Sequence, residues 1–343
     1  MTNRGSIAST RLKPGLDDTD RHLVNEAARL LRAGCVVAFP TETVYGLGAD
    51  AANPDAVRRI FTIKGRPANH PLIVHISHAS LLNQWAREVP EAARHLAERF
   101  WPGPLTLILQ RQRHVLDAVT GGQDSVGLRV PDHPLALELL HALGPEHGLA
   151  APSANRFGRI SPTKAQHVRD ELGEAVDLIL DGGPCRVGLE STIISFVSGE
   201  PRLLRPGGIP TGALEEEIGM KISPDDPLHP SMRASGGMPS HYAPATPLEI
   251  WPGEALWHHA LALAEKEIRV AVLGLTAMPP AINNVLMRHF PMPTQAADYG
   301  RVLYDTLRQA DAAGFDRLLT EAPPNEDSWR AVADRLQRAA VQS

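Results

Sequence analysis

The sequence predicts two α/β domains: a first with a curved mixed sheet and flanking helices, and a second, small three-layer domain on a parallel sheet. Three observations lead there. At 343 residues the chain exceeds one ordinary core, and length favours two domains. In the first part of the chain, candidate strands outnumber candidate crossover helices, which a regular doubly wound sheet does not allow. Beyond Pro247 strand and helix patterns alternate, the sign of a parallel sheet. The expected boundaries are a tail over 1–17, a first domain over 18–220, a linker over 221–247 and a second domain over 248–343.

Each element has its own justification. Asp18, Thr19 and Asp20 offer N-caps to a helix whose Leu23, Val24, Ala27, Leu30 and Leu31 fall at helical spacing, and Gly34 ends it. The strand Cys35 to Phe39 stops at Pro40 and should deliver Thr41, Thr43, Tyr45, Gly46 and Gly48 into a turn where backbone can approach a ligand closely. Asn53-Pro54 opens a helix buried through Val57, Ile60, Phe61 and Ile63, which leads to Lys64 and Arg66 before the apolar strand Leu72 to Ile76. Read as extended chain, that spacing puts both cations on one face. A helical pattern from Ser80 to Phe100 breaks at Pro90, and Trp101-Pro-Gly-Pro104 turns the chain into the strand Leu105 to Leu109. The strand Val126 to Val130 carries Arg129, and His133-Pro134 begins a helix to Leu143. Ser161-Pro162 has the form of an N-cap and first helical residue. Strands at Asp177 to Asp181, Ile193 to Phe196 and Arg202 to Leu204 follow, the last two joined by the hairpin turn Ser198-Gly-Glu-Pro201.

Residues 222–247 are dense in proline and glycine and lack an apolar period, as a linker does. His241-Tyr242 among those prolines suggests a docked segment, expected to act as an active-site lid. After it come strands at Leu248 to Trp251, Val270 to Leu275 and Arg317 to Thr320, and helices at Ala255 to Glu267, Tyr299 to Ala313 and Ser328 to Ala339.

Composition excludes several classes. A net charge of -5 gives no general attraction to nucleic acid or anionic membrane. No apolar run approaches the roughly 20 residues of a membrane span, and the N-terminus lacks a secretion signal, which points to the cytoplasm. Cys35 and Cys185 form no CxxC pair, so reduced thiols and no structural zinc are expected. There is no Walker lysine loop, and Gly46-Leu-Gly48 lacks the third glycine of a dinucleotide fingerprint. His258 and His259 point to different faces of their helix, and Pro152-Ser153-Ala-Asn155 is not a nucleophile elbow. Cations and hydroxyls remain, spread along the first domain: Lys64, Arg66, Arg129, Arg205, Thr43, Ser153, Ser161, Ser191 and Thr192. Singly each has a local explanation as cap, turn former or solvated charge. Arg129 stands apart, because an arginine inside a short apolar strand usually needs a resident anion. Together, placed around strand ends, they describe a pocket for anions.

These residues carry a resemblance. Phe39 to Asp50, Lys64 to Ile76, Trp101 to Leu109, Gly127-Leu-Arg-Val-Pro131, Ala151-Pro-Ser-Ala-Asn155, Leu189-Glu-Ser-Thr-Ile193 and Leu204-Arg-Pro-Gly207 resemble, in order, the motif set of the YrdC-like threonylcarbamoyl-AMP synthases. The linker with His-Tyr-Ala-Pro and the second domain resemble the long form of that family, with a Rossmann-like C-terminal domain. The resemblance implies a nucleotidyltransferase that makes threonylcarbamoyl-adenylate and pyrophosphate from L-threonine, bicarbonate or CO2, and ATP with its Mg2+. It also implies a downstream transferase complex that modifies tRNA beside the anticodon, with weak tRNA binding by the synthase itself an open expectation. By the same resemblance Thr43, His75, Arg129, the Ala151 backbone and Ser191 would hold threonine. Arg66, His70, Ser125, Ser153, Ser161, Arg205 and Tyr242 would hold ATP, and Lys64 and Arg66 would stabilise charge on the phosphates, with no metal ligand from protein side chains. Arginine forks suit carboxylates and phosphates bidentately.

Two positions depart from the family. Its linker more often reads Ser-Pro-Gly-Met with basic residues before His-Tyr-Ala-Pro, whereas Ser235-Gly-Gly-Met-Pro-Ser-His-Tyr242 is one residue shorter and has no lysine. Position 70 holds histidine where asparagine is common. The rival from another class is a non-catalytic RNA-binding module, against which the acidic balance and the lack of an aromatic-basic stripe argue. Carbamoyl transfer, as in hydrogenase-maturation proteins, would need zinc-finger cysteines that two lone cysteines cannot supply.

Overall fold

A computed structural model of the chain describes residues 16–225, 232–233, 241–279 and 284–340. The expected tail up to residue 15 and two stretches of the linker, 226–231 and 234–240, therefore lie outside the described residues. The chain forms two compact units, one of Met1–Phe157, Pro162–Arg186 and Glu190–Gly237, the other of Gly158–Ser161, Val187–Leu189 and Met238–Ser343.

The first unit contains the strands β1 (Val37–Phe39), β2 (Gly46–Asp50), β3 (Ile73–His75), β4 (Leu105–Gln110), β5 (Ser125–Arg129), β6 (Leu149–Ala150), β7 (Leu178–Ile179), β8 (Thr192–Ser195), β9 (Arg202–Arg205) and β10 (Ser223–Pro224). They form one mixed sheet in the order β10-β9-β8-β4-β5-β3-β6-β2-β1-β7. Parallel neighbours (β3 with β5, β4 with β8) alternate with antiparallel ones (β4 with β5, β3 with β6), which is the mixed pairing that the excess of strands over helices requires.

Alternation along the strands sends Ala38, Leu47, Val74, Leu107 and Ile194 to one face, where helices 54–64, 91–100 and 211–218 pack. The opposite face is covered only in part. Over β1 and β6, helices Asp18–Arg32 and Pro134–Leu143 bury Val37, Phe39 and Leu149. Further along, Ile73, Ile108 and Ile193 form a separate small cluster, joined among the described residues by Val197, Leu204 and Met232 and by no helix. An apolar floor is thus left next to strand ends.

Local chemistry sets the helices that matter. The first is capped by Asp17, whose carboxylate takes the Asp20 N–H at 2.9 Å while Asp20 returns the bond to the Asp17 N–H at 3.1 Å. The cap is thus one residue earlier than the Asp18-Thr-Asp20 run suggests. Helix Pro54–Lys64 starts on the Asn53 side chain and stops at Gly65, whose φ of 64° suits glycine.

The structure corrects the sequence reading at three places. Gly46-Leu-Gly48 is not a ligand-facing turn but part of β2, paired antiparallel with β1 through Phe39↔Gly46 and Val37↔Gly48. What approaches the backbone there is the Phe39 ring: a Cβ on Gly46 would lie 3.0 Å from it and one on Gly48 2.9 Å. Ser161-Pro162 opens no helix. The Pro162 carbonyl accepts the Tyr45 N–H at 2.8 Å and the Thr163 carbonyl the Cys185 N–H at 2.9 Å, so these acceptors hold neighbouring segments instead of a first turn. The helix begins at Ala165, and the His167 ring takes the Thr163 N–H at 3.2 Å in place of a hydroxyl cap.

The third correction lies in the second unit. Its sheet is all parallel, built from β11 (Leu248–Trp251), β12 (Val270–Gly274), β13 (Met287–Pro291) and β14 (Arg317–Glu321) in the order β11-β14-β12-β13. β13 has no counterpart among the expected strands: at the sheet edge it buries only Phe290 and ends in proline, so it lacks an apolar run. Helices Gly253–Ala264, Ala296–Ala312 and Arg330–Ala340 complete the unit.

Because Phe39 is fully buried, its ring cannot swing away from an added methyl on β2. Gly48→Ala is expected to cost about 1–3 kcal/mol by overpacking. Thermal melting of Gly48→Ala beside the double variant Phe39→Leu/Gly48→Ala checks this, the second change restoring part of the loss.

Candidate active site

The sheet pairings bring the strand-end candidates together. His75 and Arg129 are register partners at the ends of β3 and β5, so both project on the same face as the isoleucine floor. That floor belongs to a shallow open cleft lined by Ile73, Ile108, Gly127 and Ile193. Gly127 keeps it level, since a Cβ there would stand 3.0 Å from the Ile108 side chain. Gln123, Ser125 and Arg233 give the cleft a polar rim, and among the described residues no carboxylate lines it.

Arg129 is the centre of the first group. Its Nη2 lies 2.7 Å from Glu42 Oε1, an ion pair between side chains that are 5% and 1% exposed. That contact is close in distance but not aligned as a hydrogen bond. Nη2 also donates to Thr43 Oγ1 at 2.9 Å, and Nε donates to the Gly103 carbonyl at 3.2 Å. The anion that a strand-borne arginine requires is therefore supplied by the protein, from Glu42, a residue absent from the sequence-derived candidates. Removing one partner of such a buried pair typically costs about 3–5 kcal/mol.

Thr43 is oriented through Thr41. Thr41 Oγ1 donates its only hydrogen to the Val44 carbonyl at 2.6 Å, so the 2.8 Å contact between the two threonine hydroxyls has Thr43 as donor. Thr43 Oγ1 thus gives its proton to Thr41, accepts from Arg129, and has accepting capacity left for a ligand N–H. His75 is buried, edge-on to the Phe39 ring at 5.7 Å, and its Nδ1 has no well-aligned hydrogen-bond partner among the described residues. Burial, with the Arg129 charge adding to it, lowers its pKa to about 3. The ring is neutral at physiological pH and serves as a hydrogen-bonding group rather than a base. The Ala151 N–H is taken by the Ile73 carbonyl at 2.9 Å, so any ligand contact of this backbone runs through its carbonyl.

Ser191 and Arg205 form a second group. Arg205 places Nε at 3.1 Å and Nη2 at 2.9 Å from the Ser191 carbonyl, with Nη2 also 3.1 Å from Ser191 Oγ. Ser191 Oγ in turn lies 2.7 Å from the fully buried Thr106 hydroxyl. The two motifs that carry these residues meet at Gly207, where a Cβ would fall 2.3 Å from the Ser191 carbonyl carbon. Only glycine lets the segments approach so closely.

Lys64 and Arg66 are not an extended pair on a common face. Lys64 is the last helical residue, Gly65 turns left-handed, and Arg66 follows the turn. Lys64 Nζ donates to the Ser153 carbonyl at 2.6 Å and to the Asn155 carbonyl, which ties the helix end to the Ser153-Ala-Asn155 turn. Its burial, with the charge of Arg66 next, holds its pKa well below the usual lysine range. Arg66 Nη2 donates to the Pro71 carbonyl at 3.0 Å, and its guanidinium stands 6.0 Å over the Phe157 ring, which meets His70 edge-on at 5.5 Å. Partial burial, then the charges of Arg66 and Arg233, lower the His70 pKa. Ser125 opens β5 on the cleft rim, and Ser153 bridges to Gly46.

Ser161 and Tyr242 belong to the second unit. Ser161 is fully buried. Tyr242, with φ 61°, is 1% exposed, its ring stacked on Tyr304 at 5.7 Å and 5.1 Å from the Arg335 guanidinium. Among the described residues no group of His, Cys, Asp or Glu side chains could hold a metal ion.

Comparison with known proteins gives this arrangement its relatives. Residues 29–207 match the Sua5/YciO/YrdC family, described as telomere recombination, and residues 209–341 match the family described as threonylcarbamoyl-AMP synthase, C-terminal domain. A Bacillus subtilis protein named threonylcarbamoyl-AMP synthase is 41% identical over 327 residues, covering 92% of each chain. The chain belongs to the threonylcarbamoyl-AMP synthase family. A Pyrococcus abyssi protein of the same name is 38% identical over 92% of this chain and 93% of its own. The structure of P. abyssi Sua5 complexed with L-threonine superposes with a TM-score of 0.87 at 37% identity, covering 98% of both chains. The resemblance read from the motifs is thus a family membership across both domains.

Beyond the sequence-derived candidates, the site contains Thr41, Glu42, Thr106, Phe157, Gln123 and Arg233. Glu42 and Thr41 stand inside the Pro-Thr-Glu-Thr run, and a carboxylate flanked by hydroxyls before an apolar strand was the available signal. Nothing local marks Thr106, whose partner is distant in sequence.

The depressed pKa of His75 has a consequence for stability. Between pH 6.5 and about 3 the unfolded chain carries a proton on this ring that the folded chain does not, so stability falls as pH falls through that window. The slope from this group approaches about 1.4 kcal/mol per pH unit. Urea unfolding at pH 7, 6, 5 and 4 should show a shallower acid limb for His75→Asn than for the wild type.

Proposed function

We infer that this protein is a threonylcarbamoyl-AMP synthase: L-threonine, bicarbonate and ATP are converted to threonylcarbamoyl-adenylate, pyrophosphate and water. The observation that carries this reading is the match to relatives of that name along nearly the whole chain. It favours a catalytic role over a non-catalytic RNA-binding module.

In the proposed site, Thr43, His75, Arg129, the Ala151 carbonyl and Ser191 hold L-threonine. Arg129, already paired with Glu42 and Thr43, turns the rest of its fork to the substrate carboxylate. Thr43, whose own proton is committed to Thr41, accepts from the amino group. ATP lies along the cleft, its base on the isoleucine floor, with Arg66, His70, Ser125, Ser153 and Arg205 as its polar contacts. Ser161 and Tyr242 complete the proposed set. Lys64 acts here first as the clamp that shapes the Ser153 to Asn155 turn and second as a charge near the phosphates.

The chemistry then needs no protein nucleophile. Bicarbonate yields CO2 and hydroxide; the threonine amine adds the CO2 to give a carbamate, the proton it loses converts the hydroxide to water, and the carbamate oxygen attacks the α-phosphorus in line as pyrophosphate leaves. Positioning and fixed charge lower the barrier, and the Mg2+ that accompanies ATP neutralises its phosphates. The product would pass to a transferase complex acting on tRNA, which implies a cytoplasmic setting. No described helix is long and apolar enough to cross a membrane.

Pyrophosphate release from ATP, with threonine and bicarbonate omitted in turn, tests the reaction: release is expected to require both. Unchanged release without threonine would overturn the reading. Thr43→Val is expected to raise the KM for L-threonine about tenfold or more, the loss of one hydrogen bond to a charged group, while the KM for ATP stays within about twofold. Steady-state kinetics with each substrate varied separates the two.

A further inference from the structure

We propose that Arg233 is a nucleotide-binding residue, placing its guanidinium at the mouth of the cleft to take the phosphate chain of ATP; the proposal rests on the synthase reading above. Arg233 is the one lysine or arginine between Lys221 and Lys266 in the sequence. It is docked on the first unit at several points. Its N–H donates to Gln123 Oε1 at 2.9 Å, and Gln123 Nε2 donates back to its carbonyl at 3.1 Å, so one glutamine side chain holds both backbone groups. Next to it, Met232 joins the isoleucine floor and receives the Ser195 hydroxyl at 3.6 Å. The guanidinium Nη2 donates to the Gly121 carbonyl at 2.7 Å.

These anchors put the cation where an anion is expected. Gly121 packs so closely on the Asn69 to Pro71 backbone that a Cβ would fall 2.3 Å from the Asn69 carbonyl oxygen. Arg66 binds the Pro71 carbonyl of that same strip. Arg66 and Arg233 therefore converge on one rim, and both charges act on His70 between them. Two guanidinium groups that reach the same rim raise the positive potential there, which favours an anion at the mouth of the cleft. A triphosphate is the anion that the proposed reaction brings there. Arg233 thereby supplies from the linker a cation that the lysine-free stretch before His241 does not.

The test is a calorimetric titration of ATP, AMP and adenosine into full-length wild type, Arg233→Ala, Arg233→Lys and Gln123→Ala, with pyrophosphate release followed on the same preparations. Arg233 is exposed, so its truncation leaves the fold intact. Arg233→Ala is expected to weaken ATP about fivefold to tenfold, as loss of one charge-assisted contact does, with adenosine unchanged. Arg233→Lys should recover most of the loss, Gln123→Ala should reproduce part of it, and the salt dependence of ATP binding should flatten in Arg233→Ala. Unchanged ATP affinity in Arg233→Ala, or an equal loss for adenosine, would overturn the assignment while the synthase reading stands. A wild type without threonine-dependent pyrophosphate release overturns the synthase reading instead, whatever the titrations give.

Discussion

A guanidinium buried at the end of a strand is the constraint from which the first domain's site follows. Arg129 cannot stay charged away from water without an anion, and Glu42 provides one at 2.7 Å. The same arginine holds the Gly103 carbonyl and the Thr43 hydroxyl, while the other Glu42 oxygen takes the Asp132 N–H at 3.0 Å. One ion pair therefore joins the loop after β1, the turn before β4 and the loop after β5. The side chains that would meet substrate are fixed by contacts already satisfied inside the protein, which is what preorganisation means in a site that works by positioning.

The second requirement is an open floor. One face of the mixed sheet packs under helices, but the helices on its other face stop at β6, and the isoleucines of β3, β4 and β8 remain as a platform. Glycines then act as spacers. Gly46 and Gly48 admit the Phe39 ring, whose edge reaches His75, Gly127 keeps the platform flat, and Gly207 lets the arginine-bearing segment close on Ser191. Each is needed because of something that packs against it.

Much of this was legible in the sequence. The mixed first sheet followed from counting strands against helices, and the parallel second sheet from regular alternation. Arg129 stood out because arginine in an apolar strand is anomalous; the anion expected beside it was a ligand, whereas the structure pairs it with a carboxylate of the protein. Its source was not legible, because Glu42 and Arg129 are far apart in sequence and only the run of pairings β1–β2–β6–β3–β5 brings them together. Lys64 and Arg66 were placed near one another for a mistaken reason: a left-handed glycine, not an extended chain, sets their geometry. Gly46-Leu-Gly48 looked like a ligand turn because a glycine that admits a phenylalanine ring and one that admits a phosphate have the same local sequence. The edge strand β13 was hidden because an edge buries few side chains.

We propose that Arg129, held by Glu42, presents its remaining donors to a carboxylate of the substrate. Calorimetric binding of L-threonine against L-threoninol, which lacks only that carboxylate, tests it most directly, in the wild type and in the paired variant Glu42→Gln/Arg129→Met that leaves no unpaired buried charge. The wild type is expected to favour L-threonine by about tenfold or more and the paired variant to lose the preference. Equal affinity of the wild type for both ligands would contradict it.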